Sequence, residues 1–168
     1  MSELFRASLQ EEGSFVRLED ELDLCQRYVR IEGLRLGERL VMNWTISETK
    51  SSPKIPLLLL QPLLENAIYH GVQPIPEGGT IDFNLEYLGD DMQITITNPV
   101  PPYDSVYGSE DHMARNESKP AGKSNNLAIA NIRTRLEVLY GANAQLETTL
   151  QGNVFLTKLR CPKVPVAQ

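Results

Sequence analysis

Histidine and cysteine are scarce in this chain. There are two histidines in 168 residues, His70 and His112, which excludes a histidine-rich metal centre. The two cysteines, Cys25 and Cys161, lie far apart and form no Cys-x-x-Cys pair, so they read as reduced thiols rather than a disulfide framework. No stretch is strongly basic and the net charge is -6, which argues against nucleic acid as a direct partner. An anionic nucleotide would need local donors and a cation. No run reaches the roughly 18 apolar residues of a membrane span, and no signal-peptide pattern is present.

What remains is the composition of one globular domain with a sizeable core: 41% hydrophobic and 23% charged residues. Leu18, Leu22, Cys25, Val29 and Leu36 recur at near-helical spacing. Glu19, Asp20 and Glu21 occupy the first turn, where the helix dipole favours them, and Gly37 ends the helix. Leu40, Met42, Trp44 and Ile46 alternate as in a strand. Pro56 and Pro62 each fit the opening of a helical turn. Residues 80–87 alternate with Ile81, Phe83, Leu85 and Tyr87 on one face, and Met92, Ile94 and Ile96 continue that face after a turn at residues 88–91. Residues 99–124 are rich in Pro, Gly, Ser, Asp and Asn without a sustained period, the pattern of a long functional or disordered loop. Residues 126–139 read as a helix with the stripe Ile129, Ile132, Leu136, Leu139, and residues 145–150 and 154–160 as a closing hairpin. Segregated helices and antiparallel strands predict a two-layer α+β sandwich.

Residues 61–71 read Gln-Pro-Leu-Leu-Glu-Asn-Ala-Ile-Tyr-His-Gly. On a helix, Gln61, Glu65, Asn66, Tyr69 and His70 share one half of the circumference, while Leu63, Leu64, Ala67 and Ile68 fill the other. Gly71 supplies the stop. From the residues alone, two readings stand: an ordinary amphipathic helix, or a site in which an amide oxygen and a carboxylate offer hard-cation ligands.

Residues 56–67, Pro-Leu-Leu-Leu-Leu-Gln-Pro-Leu-Leu-Glu-Asn-Ala, followed by His70-Gly71, closely resemble the N box of LytS/AlgZ-type sensor histidine kinases, a family of the GHKL ATPase superfamily. Residues 22–40 resemble that family's segment between dimerisation helices and catalytic core. Asn131-Ile132-Arg133-Thr134-Arg135-Leu136, with Tyr140-Gly141, resembles its last helix.

The resemblance implies the GHKL (Bergerat) fold: a mixed sheet with helices on one face and a long ATP lid, here residues 99–124. It implies ATP and Mg²⁺ as cofactors, Asn66 as the Mg²⁺ ligand, and Glu65 as the carboxylate that activates an attacking imidazole. His70, Asn98, Lys123, Asn126 and Asn131 fall at nucleotide-binding positions. It divides the chain into a dimerisation-helix tail or linker (1–17), the catalytic domain (18–163) and a C-terminal tail (164–168), with residues 1–9 looking like the end of the second dimerisation helix. The implied partners are a response regulator of LytTR/AlgR type and a second copy of the parent chain. The implied location is the cytoplasmic side of an inner-membrane parent.

The glycine boxes depart from the pattern. The first should read Asp-x-Gly-x-Gly after a strand, where this chain has Asn98-Pro99-Val100-Pro101-Pro102. Asn98 can still accept from an adenine amino group, but the prolines fix φ and remove N–H groups, and they read equally as a rigid strand exit. The second box reads Ser124-Asn125-Asn126-Leu127 with no glycine in register. The helix N-terminus that follows remains an anion site, and Lys123 adds a charge. Neither histidine has the Pro-His-Phe-Leu context of a phosphoacceptor. Two further readings therefore stay open: a degenerate pseudokinase acting as an interaction scaffold, and another GHKL ATPase such as a chaperone or DNA-topology enzyme. Residues 22–40 argue against the latter.

Overall fold

The structure, a computed structural model, describes residues 15–102 and 123–164, with the side chains of residues 123–126 outside that description. In chain order the elements are β1 (Phe15–Arg17), α1 (Leu18–Leu36), a 3-10 turn (Gly37–Arg39), β2 (Leu40–Ile46), β3 (Lys54–Pro56), α2 (Gln61–Asn66), a π turn (Ala67–Val72), β4 (Gly79–Leu88), β5 (Asp91–Pro99), α3 (Lys123–Tyr140), β6 (Gln145–Gln151) and β7 (Val154–Pro162).

Five strands form one mixed sheet in the order β2-β4-β5-β7-β6. β2 runs parallel to β4, and the other neighbours are antiparallel. The register stacks Phe83 on Ile96, Leu85 on Ile94 and Ile94 on Leu159, so the alternation of each strand turns its apolar set to one side. Those residues are buried, whereas Asp82, Glu86, Lys158 and Arg160 on the other side keep contact with solvent. The three helices close the apolar side. Leu18, Leu22, Cys25, Val29 and Leu36 of α1, Leu63 and Leu64 of α2, Ala67, Ile68 and Val72 of the π turn, and Ile129, Ile132 and Leu136 of α3 join the same core. Each such aliphatic side chain contributes about 1.5–3 kcal/mol when withdrawn from water. The result is the two-layer α+β sandwich that the periodicities predict.

Two expectations need correction. Pro56 opens no helical turn. It ends β3, which pairs with β1 in a separate two-stranded sheet (Phe15 opposite Pro56) that is too short for any alternation signal. Pro62 does sit in the first turn of α2, as its missing N–H allows. Gly71 does not stop the helix: the helical run continues through Val72, and Gly71 lacks the positive φ of a C′ glycine. Glu21 does occupy the first turn of α1, as expected, but it faces inward. It is 1% exposed.

Candidate functional site

Site chemistry gathers where α2 widens into the π turn. Residues 61–66 hold i→i+4 spacing, then the Gln73 N–H donates to Ile68 O at 2.9 Å, an i→i+5 closure. Single π turns are frequent at functional sites because they re-aim side chains over a short span. Here Asn66, the last residue of regular helix, is buried at 9% exposure, while Tyr69 stands 60% exposed with its ring edge-on to His70 at 4.9 Å. Among the described residues, the Asn66 amide has no hydrogen-bond partner. The residue is mostly covered, yet its amide is not among the fully buried polar atoms that lack a partner, so it stays open to solvent and free to take a ligand.

Glu65 is half-buried. Gln61, one turn back, donates from Nε2 to its Oε1 at 2.9 Å and orients the carboxylate. Burial, then the charges of Glu21 and Glu65, push the Cys25 pKa up to about 12, and burial, then the charges of Glu32 and Glu65, push Tyr28 to about 12 as well. Cys161 is likewise raised to about 12 by burial. Both thiols are free and buried, and at those values they are protonated and inert at neutral pH. Partial burial lowers the His70 pKa, favouring the neutral imidazole.

The first glycine-box position meets this helix directly. Asn98 continues the helix-facing side of β5, two residues past Ile96, and is 5% exposed. Its Nδ2 donates to Pro99 O at 2.8 Å, which leaves Oδ1 as the available acceptor. A Cβ built on Gly71 would lie 2.5 Å from Asn98 Nδ2 and 2.8 Å from Pro99 O, so the π turn and the end of β5 touch only because residue 71 has no side chain. The prolines behave as a strand exit: Pro99 lies opposite Val154, and the Val100 N–H donates to Asn153 O at 2.9 Å.

Asn131 is exposed on α3, four residues before Arg135 and therefore on the same side of that helix. Arg135 donates from Nη1 to Leu58 O at 3.3 Å, tying that side of α3 to the loop that opens α2. The Lys123 and Asn126 side chains lie outside the described residues, as do residues 1–9, His112 and most of the expected lid.

Glu21 was not visible as a functional residue in the sequence. Its carboxylate receives the N–H groups of Leu58 and Leu60, each at 3.0 Å, and of Gln61 at 3.5 Å. The available signal was its place, three residues after Leu18 and four before Cys25, on the apolar stripe of α1 rather than on the solvent side.

No group of three or more His, Cys, Asp or Glu side chains that could hold a metal occurs among the described residues. The lone amide of Asn66 suits Mg²⁺, which keeps waters and phosphate oxygens and takes only one or two protein ligands.

Comparison with solved structures places this architecture. A histidine kinase from Burkholderia phymatum STM815 superposes with a TM-score of 0.62 at 15% identity, covering 97% of this chain and 76% of the other. The catalytic domain of histidine kinase ThkA superposes with a TM-score of 0.60 at 13% identity, covering 92% and 99%. The fold is that of a histidine kinase catalytic domain. In sequence, residues 1–40 match the family model of histidine kinases. Sensor histidine kinase YpdA of Escherichia coli K12 is 26% identical over 152 residues, 90% of this chain and 26% of YpdA. Sensor protein LytS of Oceanobacillus iheyensis is 27% identical over 174 residues, 98% of this chain and 29% of LytS. The resemblance to LytS-type sensor kinases thus extends along the whole chain. The chain spans about a quarter of the length of the curated relatives it matches. Nothing in these comparisons supports the pseudokinase alternative.

Proposed function

We propose that this chain is the ATP-binding catalytic domain of a two-component sensor histidine kinase, passing the ATP γ-phosphoryl group to a histidine in another segment of its parent and from there to a response regulator. The observation that carries this reading is the unpartnered, solvent-reachable amide of the largely covered Asn66 on the widened helix of a histidine-kinase catalytic fold, directly before the turn that touches Asn98.

Phosphoryl transfer needs positioning and charge neutralisation more than covalent chemistry. In this reading Asn66 Oδ1 ligates Mg²⁺, which would neutralise charge on the phosphate oxygens of ATP. Glu65, aimed by Gln61, accepts the proton of the incoming imidazole. Neutral His70 offers a donor beside the phosphates. Asn98 Oδ1 accepts from the adenine amino group in a position shielded from water. Lys123 and Asn126 supply donors from the start of α3, and Asn131 from its middle. The finer assignments rest on the family resemblance: a regulator of LytTR/AlgR type, a homodimer through dimerisation helices, an inner-membrane parent, and residues 18–163 as the catalytic unit. Among the described residues no helix is long and apolar enough to cross a membrane.

Equilibrium displacement of a fluorescent ATP analogue tests the reading. ATP should displace it saturably and far better than GTP, because the carbonyl of guanine meets the Asn98 oxygen acceptor to acceptor. Equal displacement by both, or by neither, counts against it.

A further inference from the structure

The helix that carries Glu65 and Asn66 is held at both ends by one neighbouring segment, and the two holding groups match its dipole. At the N-terminal end the buried Glu21 carboxylate of α1 accepts from Leu58, Leu60 and Gln61. Leu60 and Gln61 are orphan donors of the helix start, which carries partial positive charge, and Leu58 belongs to the turn just before it. At the C-terminal end Arg39, just past α1, donates from Nη2 to Gln73 O at 2.9 Å and to Ile75 O at 2.8 Å. Arg35 donates to the Gln73 side chain at 2.8 Å. Residues 21 and 39 are 18 apart, and residues 58 and 75 are 17 apart, so α1 and the α2 run lie side by side in the same direction with carboxylate at one end and guanidinium at the other.

The N-terminal grip is under strain. Leu58 has φ 55, a left-handed conformation in which a leucine's Cβ crowds the following carbonyl oxygen. It is held from both sides, its N–H on Glu21 and its C=O on Arg135. Such outliers persist where the surroundings over-determine them. Burial lowers the Arg135 pKa while the Glu21 charge opposes that. A glutamine at 21 would turn an NH₂ toward one set of the N–H groups. The exit is as closely fitted: a Cβ at Gly78 would overlap the Arg39 backbone.

We propose that Glu21 and Arg39 are positioning residues, clamping the two ends of the Asn66-bearing helix to α1 so that Glu65 and Asn66 are presented to the nucleotide in one fixed register. The proposal rests on the ATP–Mg²⁺ reading for its consequence, and on the geometry alone for the clamp.

The test uses the whole 168-residue chain with Glu21→Gln and, separately, Arg39→Lys, which keeps the charge but loses the planar guanidinium whose Nη2 reaches both carbonyls. Two quantities are read: amide hydrogen exchange across residues 62–70 relative to β4 and β5, and the ratio of ATP Kd without Mg²⁺ to that with it. Each variant should raise exchange in residues 62–70 by about tenfold or more while the sheet is unchanged, and should cut the Mg²⁺ enhancement about tenfold. A uniform loss of stability would move neither the relative exchange nor the ratio. Unchanged relative exchange in the folded variants overturns the clamp, and raised exchange with an intact Mg²⁺ ratio overturns its positioning role. If Glu21→Gln does not fold, Arg39→Lys decides. A parent chain that binds no ATP would defeat the functional reading, and the exchange result would still decide the clamp.

Discussion

Gly71 and Asn98 touch across the junction of helix layer and sheet: the space a Cβ at 71 would need begins 2.5 Å from Asn98 Nδ2. This contact joins the helix of Asn66 to the strand end of Asn98, the two positions at which the reading places the metal ion and the adenine. Gly71→Ala should therefore destabilise the fold by about 1–3 kcal/mol, the usual cost of overpacking. At roughly 2–4 °C per kcal/mol for a domain of this size, calorimetry resolves the shift in Tm. Gly33→Ala is the contrast. Nothing lies within 4 Å of its Cβ position, so the helix-propensity gain of about 0.5–1 kcal/mol should appear as a small rise.

His70 should make stability depend on pH with a definite sign. Burial depresses its folded pKa below the ordinary value of about 6.5, so the unfolded chain takes up the proton first as pH falls. The contribution is complete above the unfolded value and is lost as pH drops through the interval down to the folded one. The ring is only partly buried, so the effect is small. Urea midpoints measured from pH 7 to pH 5 should fall less steeply for His70→Gln than for the parent. Parallel curves would mean that His70 titrates as it does in an unfolded chain.

Asn98→Ala should weaken ATP by roughly 3- to 10-fold, the loss of one hydrogen bond of about 0.5–1.5 kcal/mol. Asn98→Asp keeps an oxygen acceptor and should bind at least as well as Ala. Competition titrations check both. Equal ATP affinity for parent and Asn98→Ala would mean that another residue meets the adenine.

Much of this fold was legible because its strands are half-buried. Ile81, Phe83 and Leu85 alternate with Asp82, Asn84 and Glu86, and the structure turns them to the core and to solvent as written. The helix stripe Ile129, Ile132, Leu136 was equally plain. Three features carried no periodic signal. β1 and β3 are three residues each, below the length at which alternation shows. The π turn depends on how Gly71 packs against β5, a contact 27 residues away in sequence. Glu21 showed only as a dipole-favoured first-turn acid because its partners are backbone N–H groups 37 to 40 residues away, and side-chain patterning says nothing of backbone partners. At the proposed site, the sequence singled out Glu65, Asn66 and Asn98 through the family resemblance. It gave no hint that Asn66 would be buried without a partner, or that Asn98 would spend its NH₂ on Pro99 and keep its oxygen.

The central claim is that Asn66 holds Mg²⁺ against bound ATP, and calorimetric titration of ATP into parent and Asn66→Ala, each with Mg²⁺ and with EDTA, tests it most directly. The account predicts saturable binding by the parent that Mg²⁺ strengthens. It predicts that Asn66→Ala loses this strengthening, while its Tm without nucleotide stays close to that of the parent, because the amide it removes has no partner among the described residues. A parent that binds ATP no better with Mg²⁺ than without, or an Asn66→Ala chain that keeps the full Mg²⁺ enhancement, would contradict it.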